Sequence, residues 1–461
     1  MKTLIFNACI VNEGRKFNGY VVIDDEFIHE VGEGMPSVVA EDTTKIDAEG
    51  ALLLPGVIDT HVHFREPGLT HKASIATESA AAVAGGVTSF LDMPNTAPAA
   101  TTVEVIDLKK SIAAETSLAN YGFFIGATNS NIDQLLAADY TSIPGVKLFM
   151  GSSTGNMLVD RREALDRLFS EFKGVIAVHA EDEATIAENR EKIINQYGED
   201  APVAMHSQFR SREACMRSSQ LAVEIARKYD SRLHILHIST ADELSMLASG
   251  PLEGKRITAE TCPHYLIFTA EDLNAERGYL RKCNPAIKEA SDRKALAEAL
   301  ASDLIDVVAT DHAPHLFADK QGSLFKAASG MPGVKFSLPL MLDMTLQSGA
   351  LTVEQVVEKM AHNPAQLYGI DHRGFIRSGY YADLVLVAQT ESKKITDADV
   401  NSHVGSADAQ QLASPCDWTP YSGLQLSHRV LTTFVNGRVA FDGQYVIPAN
   451  RNARALQFNA K

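Results

Sequence analysis

Residues 59–68 read DTHVHFREPG and follow the apolar run Ala51-Leu52-Leu53-Leu54-Pro55-Gly56-Val57-Ile58. That run reads as a loop feeding a buried strand. Side chains on a strand alternate between faces, so Asp59, His61, His63 and Arg65 are expected to project from one side. An acid, two imidazoles and a guanidinium on one face of a core strand point to a polar site at its end.

Outward from this stretch, the middle of the chain alternates strand and helix. Candidate strands fall at 57–63, 87–92, 120–126, 145–149, 175–179, 233–237, 256–262 and 306–311. Helical stretches such as HKASIATESAAAVAGG, RREALDRLFSEF, EDEATIAENREKIINQY and DRKALAEALAS lie between them. Eight such alternations predict an α/β fold, a TIM-type (β/α)8 barrel. A doubly wound open sheet is the alternative, but no Gly-x-Gly-x-x-Gly follows the first middle strand. Both ends are rich in short strands, with TLIFNACIV at one and RVLTTFVNGRVAFDGQYV at the other. Asn436-Gly437 within the latter is a strong hairpin signal. Residues 1–54 plus 376–461 are therefore expected to form one small β-sandwich domain, and 55–375 the barrel.

A chain of 461 residues exceeds what one core usually holds, which suits a barrel with a smaller companion. The net charge of −16 argues against a nucleic-acid or anionic-membrane partner, and leaves room for a local basic pocket for a small anion. The five cysteines are scattered without a Cys-x-x-Cys, as in a reducing cytoplasm. The opening MKTLIFNACIVNEG reads as a strand rather than a signal peptide, and no apolar run reaches membrane-spanning length. A soluble cytoplasmic protein is expected.

In a barrel of this type, polar residues at the carboxyl ends of strands read as chemistry. Strand 1 ends in His61, His63 and Arg65; strand 2 runs into Asn95; strand 4 carries Lys147; strands 5 and 6 end in His179 and His237. Strand 7 leads to His264, and strand 8 ends in Asp311, His312 and His315. Four imidazoles and a carboxylate at one mouth suit zinc or a similar divalent ion. Lys147 would sit in a buried strand, where desolvation and cationic neighbours lower a lysine's pKa. The resulting amine can react with carbon dioxide, and the carbamate is an anion able to bridge two metals. His234, on the same strand as His237, reads as structural, as do His29, His71, His206, His362, His372, His403 and His428.

DTHVHFREPG, MPNTAP, GVKLFMG, VHAED, HILHIST, AETCPHYL, KCNP and ATDHAPH occur in the order found in dihydroorotases of the amidohydrolase superfamily, and the chain resembles that family over essentially its whole length. It looks closest to the branch whose bridging ligand is a carboxylated lysine. The resemblance implies that His61, His63 and Asp311 bind one zinc, that His179 and His237 bind a second, and that carboxylated Lys147 bridges them. It implies that Arg65, Asn95, Asn284, His315 and, more weakly, His264 hold substrate, with Asp311 as the catalytic proton carrier. A mobile loop after strand 8, HLFADKQGSLFKAASGMPG, would cover the site. The implied reaction is the reversible cyclisation of N-carbamoyl-L-aspartate to L-dihydroorotate in pyrimidine synthesis, by a soluble enzyme and possible homodimer. Allantoinase or dihydropyrimidinase (hydantoinase) activity, or a non-catalytic dihydroorotase-like scaffold, are the alternatives. The Arg65–Asn95 combination favours dihydroorotase, because it can recognise a free carboxylate. Two departures from the family pattern stand out: Lys335 where a glutamate is usual, and Ala286 and Lys288 in NPAIK where NPPLR is usual.

Overall fold

The computed structural model describes residues 2–36, 41–151, 157–347, 349–405 and 407–459. Five strands precede the barrel: β1 (Lys2–Asn12), β2 (Arg15–Asp24), β3 (Phe27–Glu33), β4 (Thr44–Asp47) and β5 (Leu52–Pro55). The barrel strands are β6 (Val57–Val62), β7 (Val87–Asp92), β8 (Asn120–Phe123), β9 (Ile125–Gly126), β10 (Gly145–Met150), β11 (Val175–Ala180), β12 (Arg232–Ile235), β13 (Ile257–Thr261) and β14 (Val307–Val308). Three more follow: β15 (Leu384–Lys394), β16 (Gln425–Val435) and β17 (Arg438–Phe441).

The fold is a TIM-type barrel with a small β-sandwich domain built from both ends of the sequence. In the smaller domain, one sheet runs β17-β16-β15-β5-β1-β2-β3, with β4 also paired to β1. β5 is its seam, parallel to β1 and antiparallel to β15. Ile5, Ile23, Leu53, Leu384 and Phe434 fill its core. Asn436 (φ 46°) and Gly437 (φ 75°) turn β16 into β17, both left-handed as a tight two-residue hairpin requires.

The barrel strands form two parallel arcs, β6-β7-β8 and β9 through β14. β8 and β9 are one barrel position interrupted at Phe124, which makes eight positions in all. The ring closes between β6 and the segment after β14. Val62 bridges His312, and His63 N–H donates to His312 O at 2.7 Å. Asp59 completes this closure by accepting from Thr310 N–H at 3.1 Å and Thr310 Oγ1 at 2.6 Å.

The first strand departs from expectation here. β6 stops at Val62, so strict alternation does not carry through His63 to Arg65. Arg65 has φ 68°, and a turn rather than the pleat aims its side chain. Asp59 belongs to the barrel seam and not to the polar mouth.

Most barrel strands are buried on both faces, because helices such as Ile75–Ala84, Arg212–Tyr229 and Ala290–Ala301 cover the outside. The amino end of the barrel is sealed by the last segment of the sequence. Tyr121 N–H donates to Arg454 O and Leu456 N–H to Tyr121 O, at 3.0 and 2.8 Å. Leu456 and Phe458 pack with Leu91, Phe124 and Tyr368. The carboxyl end stays open. No helix among the described residues is long and apolar enough to cross a membrane.

Candidate active site

The open end holds a cavity of about 230 Å3. Every residue of the predicted metal set lines it, and so do Arg65, Asn95, Asn284 and His315. His264 does not. Its buried ring packs at 4.2 Å on Tyr265, and its Nε2 has no hydrogen-bond partner among the described residues. Tyr265 is in turn held by Pro285 O at 2.7 Å, which keeps this pair in the wall.

His61, His63 and Asp311 place one ligand atom each within 4.8 Å of one another. Asp311 Oδ1 lies 3.3 Å from His61 Nε2 and 3.0 Å from His63 Nε2. Burial works to raise the Asp311 pKa, but the facing imidazoles outweigh it and hold the carboxyl well below the ordinary range. Burial lowers His63 to about 4, so its ring is neutral, the form that binds metal. On the far side, His179 Nδ1 and His237 Nε2 face each other at 2.9 Å. Burial pushes His237 well below its usual value, and its Nδ1 has no hydrogen-bond partner among the described residues. Two neutral rings directing nitrogens at one point need a shared proton or a shared cation there. The donor set therefore fits divalent metal. Lys147 lines the same cavity, buried and 4.7 Å from the Phe149 ring centre; burial lowers its ammonium from 10.5 to about 7.

The side chains that orient these histidines were not anticipated. Glu260, on β13, accepts from or pairs with His61 Nδ1 at 2.6 Å, which leaves Nε2 facing the cavity. The same carboxylate reaches His234 Nε2 at 3.2 Å. Asn95 Oδ1 lies 2.8 Å from His63 Nδ1, so this predicted substrate residue also aims a histidine. Glu181, bound to Arg210, approaches His179 Nε2 at 3.2 Å without aligning as a hydrogen bond. Partners of this kind fix the tautomer and rotation of a metal-binding imidazole. Neither acid stands out in the sequence: Glu181 is followed by Asp182 and Glu183, and Glu260 sits between Ala259 and Thr261.

The opposite wall is cationic. Arg65 Nε donates to Pro314 O at 3.1 Å, and its Nη2 lies 3.1 Å from His315 Nε2. Lys72, absent from the sequence prediction, also lines the cavity and stands 3.2 Å from His315 Nδ1. Burial, with Arg65 and Lys72 adding to it, pushes His315 down to about 2 and keeps the ring neutral. Arg65, His237 (φ 40°) and Asp311 (φ 47°) are all left-handed, a conformation that costs energy and clusters at functional sites.

The expected mobile loop after strand 8 is pinned. Lys320 Nζ, fully buried, donates to Lys282 O, Ala328 O and Gly330 O at 2.7–2.9 Å. This sets Ser329 and Gly330 on the cavity wall. The two family departures stay off that wall. Lys335 donates to Val400 O and Ser402 Oγ, at 3.2 and 3.1 Å, and Lys288 turns back to Ala286 O at 2.7 Å.

Residues 52–440 match the amidohydrolase family. The chain belongs to that family. This amidohydrolase is 35% identical over 436 residues to a dihydroorotase from Halobacterium salinarum, covering 90% of this chain and 96% of that one. It is also 34% identical over 406 residues to an allantoinase from Streptomyces avermitilis, covering 87% of each. Among solved structures it resembles the L-hydantoinase (dihydropyrimidinase) of Arthrobacter aurescens, with a TM-score of 0.87, 26% identity, and 96% and 97% coverage. The near-equal identities to differently named relatives mean that overall similarity does not separate substrates; the cavity lining must.

Replacing Glu260 with Gln is expected to weaken divalent-metal affinity about 10–100-fold, through loss of the partner that orients His61. Competition with a chelator measures it. Unchanged affinity would show that the His61 tautomer is set elsewhere.

Proposed function

We propose that this amidohydrolase is a dihydroorotase, which interconverts N-carbamoyl-L-aspartate and L-dihydroorotate with two zinc ions. The observation that carries this reading is the cavity's division into a histidine–aspartate side and a cationic side bearing Arg65. Both substrates keep one carboxylate that takes no part in ring closure. A guanidinium can pair with such a group through two parallel hydrogen bonds. Allantoin and dihydrouracil carry no carboxylate, and a buried Arg65 would be left without an anion on binding them. Cyclic amides with a free carboxylate are therefore the substrate class.

His61, His63 and Asp311 would hold one ion and His179 and His237 the other, with Lys147 as a carbamate between them. When bound, such ions lower the pKa of water towards 7 and polarise the carbonyl under attack. In ring opening, Asp311 takes the proton of the attacking water and returns it to the departing ring nitrogen; its ionised carboxyl suits that task. In closure, the ureido nitrogen attacks the side-chain carboxylate and gives up its proton to Asp311, which passes it to the oxygen that is expelled; a second proton, from solvent, completes the departing water. Arg65, Asn95 and His315 hold the other carboxylate, and Asn284 meets the ring. Their contribution is orientation, which turns an encounter between two flexible groups into a fixed approach.

Lys147 supports the bridging reading through its lowered pKa. Near pH 7 a sizeable share of it is free amine, the form that reacts with carbon dioxide. A scaffold without activity has no use for the full set of metal donors found here.

Three outcomes are expected. The zinc-loaded protein opens L-dihydroorotate but neither allantoin nor dihydrouracil, followed by ring absorbance; preference for either of the latter would overturn the substrate assignment. Native mass spectrometry of the metal-loaded chain shows one added carbon dioxide, absent from Lys147→Met, and its absence from both would remove the carbamate. Asp311→Asn keeps measurable metal but loses turnover by ~100-fold or more, the scale of a missing general acid–base. Turnover close to that of the unmodified protein would exclude Asp311 as the proton carrier.

A further inference from the structure

His315 sits among three polar groups whose demands conflict. Its Nε2 lies 3.0 Å from Ser329 O, an acceptor, and 3.1 Å from Arg65 Nη2, a donor. Its Nδ1 lies 3.2 Å from Lys72 Nζ, a donor with no accepting capacity. Asp319 Oδ2 is the one carboxylate oxygen within 4.0 Å of either group among the described residues, 3.8 Å from Lys72 Nζ and 4.0 Å from His315 Nδ1, too far from the ring for a hydrogen bond.

A neutral imidazole carries a single proton, so its neighbours choose between two tautomers. With the proton on Nε2, the ring donates to Ser329 O and Nδ1 accepts from Lys72. Two contacts are satisfied, and Arg65 faces an N–H. With the proton on Nδ1, Nε2 accepts from Arg65, Ser329 O loses its donor, and an N–H is driven against the Lys72 ammonium. The first arrangement makes one more hydrogen bond; each leaves an N–H facing one cation, Arg65 in the first and Lys72 in the second, so the hydrogen-bond count decides. Without Lys72 the ranking reverses. Arg65 would then be the strongest donor at the ring, and Nε2 would accept from it.

We infer that Lys72 is a positioning and specificity residue: it fixes His315 in the Nε2-protonated tautomer and adds a second cation to the carboxylate-binding end of the cavity. The inference rests on the dihydroorotase reading for the identity of the bound group, a carboxylate, but not for the tautomer. The two effects reinforce each other. A ring protonated on Nε2 can release Ser329 O and donate to an incoming carboxylate. Arg65, not being accepted by the ring, stays free to do the same. Were the tautomer reversed, the ring would compete with the substrate for Arg65 and offer it a lone pair. Lys72 is half-buried and lies on the loop ahead of the helix Ile75–Ala84, so its replacement leaves the barrel core untouched.

Long-range proton–nitrogen correlation spectra of the full chain labelled with 15N-histidine test this directly. The His315 signals are identified by their loss in His315→Gln. Without substrate, His315 is expected to be protonated on Nε2 in the unmodified protein and in Lys72→Arg, and on Nδ1 in Lys72→Met. In the metal-loaded protein, Lys72→Met should raise KM for N-carbamoyl-L-aspartate by about 10–100-fold, the loss expected of a charge-assisted hydrogen bond, with kcat little changed. Lys72→Arg should recover most of that loss. An unchanged tautomer in Lys72→Met, or an unchanged KM, overturns the inference. If the protein turns over no carboxylate-bearing ring at all, the dihydroorotase reading falls, while the substrate-free spectra still decide whether Lys72 sets the ring.

Discussion

The carboxylate of Glu260 is the constraint around which the barrel mouth is organised. It is fully buried, and it spans the barrel from β13 to β6, taking His61 Nδ1 at 2.6 Å and Thr60 Oγ1 at 3.3 Å. It also reaches His234 on β12 and the main-chain N–H of His237. A buried charge survives only with such a complement of donors, and removing one partner from a buried pair typically costs about 3–5 kcal/mol. One side chain thus determines how two strands, β6 and β12, present their imidazoles. At His61, the alignment of a candidate metal ligand and the barrel's internal cross-link are the same contact.

The charge distribution follows a similar economy. The chain carries a net charge of −16, yet one wall of the cavity bears Arg65 and Lys72, with Lys320 pinned just behind. Clefts with low-dielectric walls concentrate the field of the charges that line them. A small anion reaching the mouth of the barrel meets the attraction of these cations there. The neutral His315 between the two cations adds direction to that attraction without adding charge.

Much of this was legible in the residues and some was not, for identifiable reasons. The barrel strands could be read because parallel strands covered on both faces leave continuous apolar runs, and all eight positions begin within one residue of expectation. The last, β14, keeps only two paired residues because the chain bends early to bring Asp311 inward at φ 47°. His61, His63 and Asp311 stood out through spacing and strand ends. Arg65 was identified, but for an incomplete reason, since a turn and not the pleat directs it. Glu260 and Glu181 were invisible because their partners lie 199 residues away, in His61, and 29 away, in Arg210. Lys72 looked like any lysine ahead of a helix; only the approach of the strand 8 loop gives it a histidine to act upon.

The β5 seam has a consequence for how this protein acquires its shape. Leu52–Pro55 is hydrogen-bonded to β1 on one side and to Leu384–Val387 on the other, about 330 residues later in the chain. As the polypeptide leaves the ribosome, the first five strands emerge early but lack the neighbour that covers their open edge. The entire barrel is synthesised in the interval. Contacts so distant along the chain slow folding, and an uncovered strand edge invites pairing with other chains. The smaller domain can therefore be completed only after residues 384–387 have been made. Its completion reports that the barrel between its two halves is compact enough to bring β5 and β15 together.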